Sequence, residues 1–369
     1  MQAFTLTAGK FTKAVSSATR LVRLNNSDWE LMTETRLTPT LYDVAAAAEV
    51  STATVSRCIN FPDQVAPKTR EKVQGAIADL GYSPNFGAKV MAAKRTNTIG
   101  AIIPTMENAI FARGLQAFQE ELRLHGFTML VASTGYQPET EEEQIRALVA
   151  RGADALLLIG HQRDPEIYRF LDAQAVPCLV TWAFDGSASQ PSIGFDNAAA
   201  MQEMAAEVIS LGHRHLAFIS ATTAQNDRAS ERHRGILQAM SDAGLDPAEL
   251  VFAETTYDIE EGGQAFERVM ATQPRPTAIL CGNDVLAAGA LIRAREMGID
   301  VPADVSITGF DDIDLARIVY PALTTVHVPH REMGRKAARA LVGVLRDGEP
   351  LESESLVTRP VLRDTLMPH

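Results

Sequence analysis

A short stretch of the chain, 40–57, carries side chains suited to reading the edges of DNA bases. Ser51 is a residue type that begins helices, because its hydroxyl accepts a hydrogen bond from a free backbone N–H. The helix predicted after it, 52–59, buries Val55 and Ile59 and leaves small or polar side chains outward: Thr52, Ala53, Ser56 and Arg57. A short polar helix of this kind fits the major groove of DNA. The alternative is a helical hairpin inside some larger domain.

A second group of polar and aromatic side chains follows the predicted strands of the rest of the chain. Ligands of α/β proteins bind at the carboxyl ends of strands. Aromatic rings suit the faces of sugar rings, carboxylates accept hydrogen bonds from hydroxyls, and arginines pair with carboxylates. Each residue alone is more often structural, but their recurrence after strand upon strand favours one shared ligand site. The group comprises 105–108 with Phe111, 134–136, 160–161, Trp182, 195–196, 226–232, Tyr257 and 283–284.

Three predicted helices hold the first group in place. Apolar residues recur at helical spacing over 41–48, which gives the first helix one buried face. The third helix covers 67–80, with Pro67 in its first turn and Gly81 at its end. Three helices so close in sequence indicate a compact all-α head.

The second group depends on an α/β core. Apolar strands alternate with amphipathic helices from the strand at 99–104 onward, and the alternation starts again at 198. Such alternation is typical of right-handed βαβ units on a parallel sheet. The predicted fold class is a small all-α helix-turn-helix head plus an α/β core of two doubly wound parallel-sheet lobes, with a cleft between them.

The charge distribution argues against a protein that coats nucleic acid indiscriminately. The formal net charge is −12, yet residues 37–95 carry +2 and residues 96–369 carry −16. A mildly basic head on an acidic body is typical of a protein that touches DNA at one end. No apolar run reaches the ~18 residues that a membrane helix needs. The N-terminus lacks the apolar core of a secretory signal, so we expect a cytoplasmic protein without membrane association.

Catalytic, cofactor and metal signatures are absent from the sequence. It contains no GxxxxGK[ST], GxSxG or HExxH motif, so an enzyme is not predicted. Its close histidine pairs are 213 with 215 and 327 with 330. Two histidines supply too few ligands for a structural zinc site, which uses four. The cysteines lie far apart in apolar segments, which predicts reduced core residues: Cys58, Cys178 and Cys281. Neither a cofactor nor a metal is expected.

The sequence over 37–366 resembles the LacI/GalR family of bacterial transcription repressors. TLYDVAAAAEVSTATVSRCIN and VAPKTREKVQGAIADLGYSPN match the DNA-binding headpiece of that family almost residue for residue. GHRHLAFI, ILCGNDVLAAGA and DVSITGFDD match its periplasmic-binding-protein-like core. The resemblance implies a homodimer that binds a pseudopalindromic operator and responds to a small-molecule effector. An inducer that loosens DNA binding is the default expectation, and a corepressor is the alternative.

The resemblance assigns roles in DNA binding. Thr52, Ala53 and Arg57 fall where the family reads base edges, and Arg57 is expected to bind a guanine. Met91 takes the place of the hinge-helix leucine that wedges into the minor groove. The predicted DNA-binding set is Thr40, Leu41, Ser51, Thr52, Ala53, Thr54, Ser56, Arg57, Asn60 and Met91.

The resemblance also assigns the cleft. Arg232 and Asp284 match regular effector contacts, Tyr257 matches an aromatic that stacks on the ligand, and Phe195 lies at a crossover between lobes. AIIPTMENAIFARGLQAF and GYQPETEEEQ look most like gluconate-utilisation repressors, which suggests a sugar acid such as gluconate. The predicted effector-binding set is Asn108, Phe111, Tyr136, His161, Trp182, Phe195, Arg228, Arg232, Tyr257 and Asp284.

These inferences define predicted boundaries: a disordered arm over 1–36, the helix-turn-helix domain over 37–83, a hinge over 84–96, an N-lobe of 97–195 with 303–326, and a C-lobe of 196–302 with 327–369. We hypothesise that translation starts at Met32. The alternative function is a periplasmic-type sugar-binding receptor without a DNA-binding role.

Overall fold

A computed structural model describes residues 38–83, 95–107 and 109–369. They form two units, a head (38–83) and a core (95–369). Three predicted features lie outside the described residues: the arm over 1–36, Met91 with most of the hinge, and Asn108. No helix of the described residues is long and apolar enough to cross a membrane.

The head contains the three predicted helices, which the structure confirms as α1 (Leu41–Ala47), α2 (Thr52–Asn60) and α3 (Pro67–Leu80). Gly81 ends α3 with a left-handed φ of +62°, a conformation that glycine adopts without steric cost. A single small core joins the helices: Val44, Ala45, Ala48, Val55, Cys58, Val73 and Ala76.

The first lobe of the core is built on a parallel sheet. Its strands are β1 (Thr98–Ile103), β2 (Thr128–Ser133), β3 (Ala155–Ile159), β4 (Cys178–Thr181), β5 (Ser192–Gly194) and β11 (Glu354–Ser355). They lie side by side in the order β11–β5–β4–β3–β1–β2. Its helices are α4 (Ala109–Leu124), α5 (Pro138–Ala150), α6 (Pro165–Ala173) and α12 (His330–Asp347).

The second lobe repeats the design with a parallel sheet of four strands in the described residues. The strands are β6 (Leu216–Ala221), β7 (Val251–Thr255), β8 (Ala278–Cys281) and β9 (Ser306–Thr308), in the order β7–β6–β8–β9. The helices are α7 (Asn197–Ser210), α8 (Asp227–Asp242), α9 (Ile259–Met270), α10 (Asp284–Glu296) and the short α11 (Leu315–Ile318). Two further strands, β10 (Thr325–His327) and β12 (Arg359–Val361), pair with each other in antiparallel fashion.

Helices cover both faces of each sheet. Successive residues of a strand point to opposite faces, so on β1 Ile99 and Ile103 pack with α4 and α12, whereas Ile102 packs with α5 and α6. On β6, Phe218 joins the cluster that contains α7 and α8, and Ile219 joins the one with α9 and α10. Burial on both faces explains the unbroken apolar runs of the central strands.

The predicted lobe boundaries after residue 302 are wrong. The segment 303–326 was expected in the first lobe, but β9 pairs with β8 of the second sheet. Conversely, α12 packs against α4, and β11 pairs with β5 of the first sheet. The chain therefore crosses between lobes near 195, 328 and 357. The physical reason is that strand pairing joins residues far apart in sequence, which local hydrophobic patterns do not encode.

Candidate DNA-binding helix and ligand cleft

Helix α2 is anchored on one face and capped at its start. The Thr54 N–H donates a hydrogen bond to Ser51 Oγ at 3.1 Å, as an N-cap requires. Val55 is fully buried, as predicted, and Ile59 packs against the head core while partly exposed. Cys58, at 6 % exposure, completes the buried face.

Helix α1 is held by a reciprocal cap. The Thr40 N–H donates to Asp43 Oδ2 at 2.7 Å, and the Asp43 N–H donates to Thr40 Oγ1 at 3.4 Å. Leu41 packs partly buried against the head core. Thr40 itself stays exposed at the end of the helix.

The outer face of α2 carries an unengaged arginine. Arg57 is exposed, and its guanidinium makes no hydrogen bond or ion pair within 38–83 or the other described residues. By contrast, Lys72 pairs with Glu49 at 2.5 Å and Arg70 donates to the Pro62 carbonyl at 3.3 Å. Arg57 is therefore free to donate to a base or phosphate. The other predicted contacts on α2 are exposed or half-buried: Thr52, Ala53, Thr54, Ser56 and Asn60.

In the core, a cavity of about 460 Å³ opens at the carboxyl ends of the first-lobe strands. Tyr136 and Arg228 of the predicted effector set line it. Its remaining wall is Pro104, Thr134, Gln137, Pro138, Glu139, Glu141, Glu142, Ile159, Gln162, Arg163, Asp164, Ile167 and Gln225. Because Gln225 and Arg228 belong to the second lobe, the cavity lies between the lobes.

The start of α8 is bonded to the loop after β3 across this cleft. Asp227 Oδ2 accepts hydrogen bonds from the backbone N–H groups of His161 at 2.5 Å and Gln162 at 3.3 Å. Arg228 Nη1 donates to the Ile159 carbonyl at 3.3 Å and to Asp227 Oδ1 at 2.8 Å. We call this set of contacts the α8 bridge. Burial lowers the pKa of His161, which favours the neutral ring. Its Nε2 has no hydrogen-bond partner within 38–83, 95–107 and 109–369.

Two tyrosines face each other from opposite lobes. The ring centroids of Tyr136, after β2, and Tyr257, after β7, are 5.9 Å apart. Burial raises the pKa of Tyr136, which keeps its hydroxyl protonated. The pair combines apolar ring faces with O–H groups, as a site for a polar ring compound requires.

Arg232 of α8 is a buried cation with several fixed contacts. It is 4 % exposed; its Nε donates to Asn197 Oδ1 at 2.9 Å and its Nη1 donates to the Gly282 carbonyl. Its guanidinium lies 3.8 Å above the ring of Phe310, on which Phe195 also stacks. These contacts fix the guanidinium in place and leave Nη2 toward Asp311, 4.0 Å away.

Trp182 and Phe111 form an aromatic wall in the first lobe, with ring centroids 5.4 Å apart. The indole lies directly over Gly114 of α4, where a Cβ would stand 2.5 Å from the ring. Glycine therefore permits the close approach. Trp182 has a left-handed φ of +59°, and its buried Nε1 has no hydrogen-bond partner in the part of the chain that the structure describes.

Asp284 is wholly buried and already engaged by the protein. It accepts hydrogen bonds from the Ile313 N–H at 2.8 Å and from Thr325 Oγ1 at 2.5 Å. Burial raises the pKa of its carboxyl well above the usual range. These bonds tie α10 to the crossover strand β10, whereas contact with an effector stays a prediction.

Two residues that sequence reasoning missed lie beside Arg232. Asp311 and His330 are buried. Among the described residues, no hydrogen-bond partner is found for either carboxylate oxygen of Asp311 or for either ring nitrogen of His330. The Asp311 Oδ1 to His330 Nε2 distance is 3.7 Å. Burial raises the pKa of Asp311 to about 6 and lowers that of His330 to about 3. A signal was available in the sequence, because Asp311 directly follows VSITGF at 305–310, a run whose β-branched residues predict a strand.

Comparison with known proteins covers both units. Residues 40–85 match the family of bacterial regulatory proteins, lacI family, and residues 205–366 match the periplasmic binding protein-like domain. The HTH-type transcriptional regulator GntR of Escherichia coli strain K12 is 30 % identical over 318 residues, which span 86 % of this chain and 95 % of that protein.

Two solved structures are similar over 89 % of this chain and 99 % of their own. The lac repressor dimer bound to operator and the anti-inducer ONPF has a TM-score of 0.78 at 26 % identity. The transcriptional regulator CelR in complex with cellobiose has a TM-score of 0.65 at 29 % identity. A receptor without a DNA-binding role is therefore ruled out, since the similarity includes the head. The chain belongs to the LacI family of bacterial transcription regulators and combines a DNA-binding head with a ligand-binding core.

Proposed function

We propose that this regulator is a cytoplasmic homodimer that represses transcription and releases its operator when a sugar or sugar acid binds between the lobes. One observation carries the proposal. Polar and aromatic side chains from both lobes meet at one cleft, where Tyr136 faces Tyr257 and Arg228 lines a cavity of about 460 Å³. A concave site that combines ring faces with a few polar groups is typical of a small-molecule site.

DNA recognition is assigned to α2 of each head. Arg57 is exposed and unengaged, and an arginine in the major groove pairs with guanine through two hydrogen bonds. Ala53 and Thr52 contribute little hydrogen bonding, so we expect Arg57 to dominate specificity. Two heads related by two-fold symmetry match a pseudopalindromic operator.

The effector is assigned to the cleft. Tyr136 and Tyr257 supply ring faces, and Arg228 and Arg232 supply cationic donors that suit the carboxylate of a compound such as gluconate. The cellobiose held by CelR gives a precedent for a sugar in this fold. To change operator affinity, the ligand has to bind one closure state of the lobes better than the other.

Paired arginine substitutions test both assignments. Arg57→Ala should weaken specific operator binding by roughly 5- to 150-fold, which corresponds to the loss of about 1–3 kcal/mol expected for one base contact. Effector binding should stay intact. Lys72→Ala is the matched control, because Lys72 is already paired with Glu49. A gel shift on the gene's own upstream DNA measures the effect. Unchanged specific binding by Arg57→Ala would overturn the assignment of α2.

Arg232→Ala should abolish the response to effector and leave operator binding in place. Arg234→Ala is the control, since Arg234 lies on the same helix, exposed and paired with Glu231. Circular dichroism verifies that both variants are folded. A normal effector response in Arg232→Ala would contradict the placement of the ligand in this cleft.

A further inference from the structure

A loop of the first lobe forms one half of the α8 bridge. The N–H groups that bind Asp227 and the carbonyl that binds Arg228 all belong to residues 159–162, which we call the bridge loop. These are backbone groups, so they point at α8 only while the loop keeps its conformation. Gly160, within the loop, has a left-handed φ of +73°. A loop stays in one conformation through its contacts with the rest of the protein, so the support of the bridge loop decides whether the bridge forms.

Arg163, the next residue, supports the bridge loop. Its side chain is 1 % exposed. Its guanidinium donates to carbonyls of the bridge loop, that of Gly160 at 2.8 Å and that of Ile159 at 3.3 Å. It also donates to the Tyr168 hydroxyl and to Glu141 Oε1, the latter at 3.1 Å. One side chain therefore joins the bridge loop to α5, which carries Glu141, and to α6, which carries Tyr168.

The chemistry of arginine suits this position. The acceptors of Arg163 come from separate segments, and a planar guanidinium presents its N–H donors in a fixed fork that can serve them together. A lysine ammonium is a compact point charge, which would keep the ion pair with Glu141 but lose part of the remaining contacts. The Tyr168 hydroxyl in turn donates to the His161 carbonyl at 3.4 Å. A further group of the bridge loop is thus tied to the same arginine.

The start of α5 takes part in a second contact between the lobes. Glu141 lies in the first turn of α5, and its side chain is 17 % exposed where it pairs with Arg163. Tyr136, just before the same helix, faces Tyr257 of the second lobe with ring centroids 5.9 Å apart. Breaking a buried ion pair is costly, because it leaves a charge without a partner. Arg163 therefore fixes the bridge loop relative to the segment that carries Tyr136.

We propose that Arg163 is a positioning residue for lobe closure, which holds the bridge loop and the start of α5 in one arrangement. The α8 bridge and the contact between Tyr136 and Tyr257 then form and open together. This inference deepens the proposed function, in which the closure of the lobes controls operator binding. Arg163 acts through the backbone of the bridge loop.

Hydrogen–deuterium exchange of the full-length protein without ligand, read by mass spectrometry, tests the inference. Arg163→Lys should raise the exchange rates of the His161 and Gln162 N–H groups about tenfold, because hydrogen bonds to a charged group are lost from the support of their loop. The Arg228 N–H of the second lobe, bonded to Asp227 Oδ1 at 2.9 Å, should also exchange faster. A residue with a purely local structural role would not change exchange in the other lobe.

Breaking the bridge from the second lobe tests the coupling. Asp227→Ala removes the acceptor of both bridge-loop N–H groups, so it should raise their exchange rates as well. Arg163→Lys added to Asp227→Ala should then raise these rates little further, because both substitutions act on the same contacts. Effects that add in full would show that Arg163 acts independently of the bridge, and they would overturn the inference.

Arg169→Lys is the matched control. Arg169 lies on α6 and pairs with Glu166, but its side chain is 68 % exposed, so the substitution should leave exchange in the bridge loop unchanged. Tyr168→Phe removes the hydroxyl that Arg163 and the bridge loop share, and it replaces Arg163→Lys if that variant does not fold.

Unchanged exchange in the bridge loop, or an increase that is uniform across the first lobe, overturns the inference and leaves the proposed function standing. The exchange experiment needs neither operator nor effector. A failure of the proposed function would therefore show separately, in the gel shift.

Discussion

Replacing Asp311 by asparagine should stabilise the ligand-free protein, and more so as the pH rises. Burial raises the pKa of Asp311 from 3.8 to about 6, so folding favours the protonated carboxyl. Below pH 3.8 the carboxyl is protonated in both the folded and the unfolded state, so it does not lower the free energy of unfolding. Above pH 6 it is ionised in both, and the folded state bears a penalty of about 3 kcal/mol.

The penalty develops over a defined range of pH. About half of it is present at pH 5, so the advantage of Asp311→Asn in the free energy of unfolding should grow by about 1.5 kcal/mol between pH 5 and pH 8. Arg232 and Arg228 lower this pKa and limit the effect, and the other charged or titratable neighbours are His330, Asp284 and Asp312. The difference between the free energies of unfolding of wild type and variant removes the contributions of most other titrating groups, because these are the same in both proteins.

Urea denaturation of wild type and Asp311→Asn at several pH values, followed by circular dichroism, measures the difference. Asp312→Asn is the control, because Asp312 is the next residue and is also buried. It should destabilise the protein, since it removes an acceptor that Arg363 and His327 use. A stability difference between wild type and Asp311→Asn that does not change with pH would refute the reasoning. It would mean that Asp311 is either not buried or already paired in solution.

Two further substitutions test the α8 bridge and the head. Gly160→Ala should weaken effector binding, because Gly160 has a φ of +73° and its new Cβ would lie 2.0 Å from Arg228 Nη1. Gly126→Ala is the control, since Gly126 has a φ of +75° and its new Cβ would meet no described atom within 4 Å. Equal losses of effector affinity in the two variants, measured by calorimetric titration, would contradict a role of the α8 bridge in effector binding. Ser51→Ala should destabilise the head by about 1 kcal/mol, since the Thr54 N–H loses its cap, and should weaken operator binding in a gel shift. An unaltered thermal melting of the head would argue against that cap.

Periodic patterns in the sequence predicted most elements because these depend on neighbours a few residues apart. The helices of the head and the alternation of the core were correct to within a few residues. The misses were short or half-exposed strands: β5 has three residues, and β7 alternates between partly buried and exposed positions on the edge of its sheet. Such strands carry little hydrophobic signal of their own.

One simple rule selected part of the candidate site. Side chains that follow strands include Tyr136, which lines the cavity, and also Trp182 and Phe195, which are buried in ring contacts with Phe111 and Phe310. The same rule applied to 305–310 points to Asp311, but the sequence provides no measure of its burial or its missing partners. His330 stands three residues after β10, where no strand-end rule identifies it.

The sequence by itself determined the class of the protein and the helix that we propose reads DNA. Headpiece motifs, capping residues and hydrophobic spacing are local, and local interactions suffice to form α2 with Arg57 outward. Tertiary structure alone decided which lobe holds β9 and α12, and it alone brought Arg232, Asp311 and His330 together from three distant segments. Burial and pairing are properties of the packed chain, so the chemistry of the cleft emerges only when both lobes are in place.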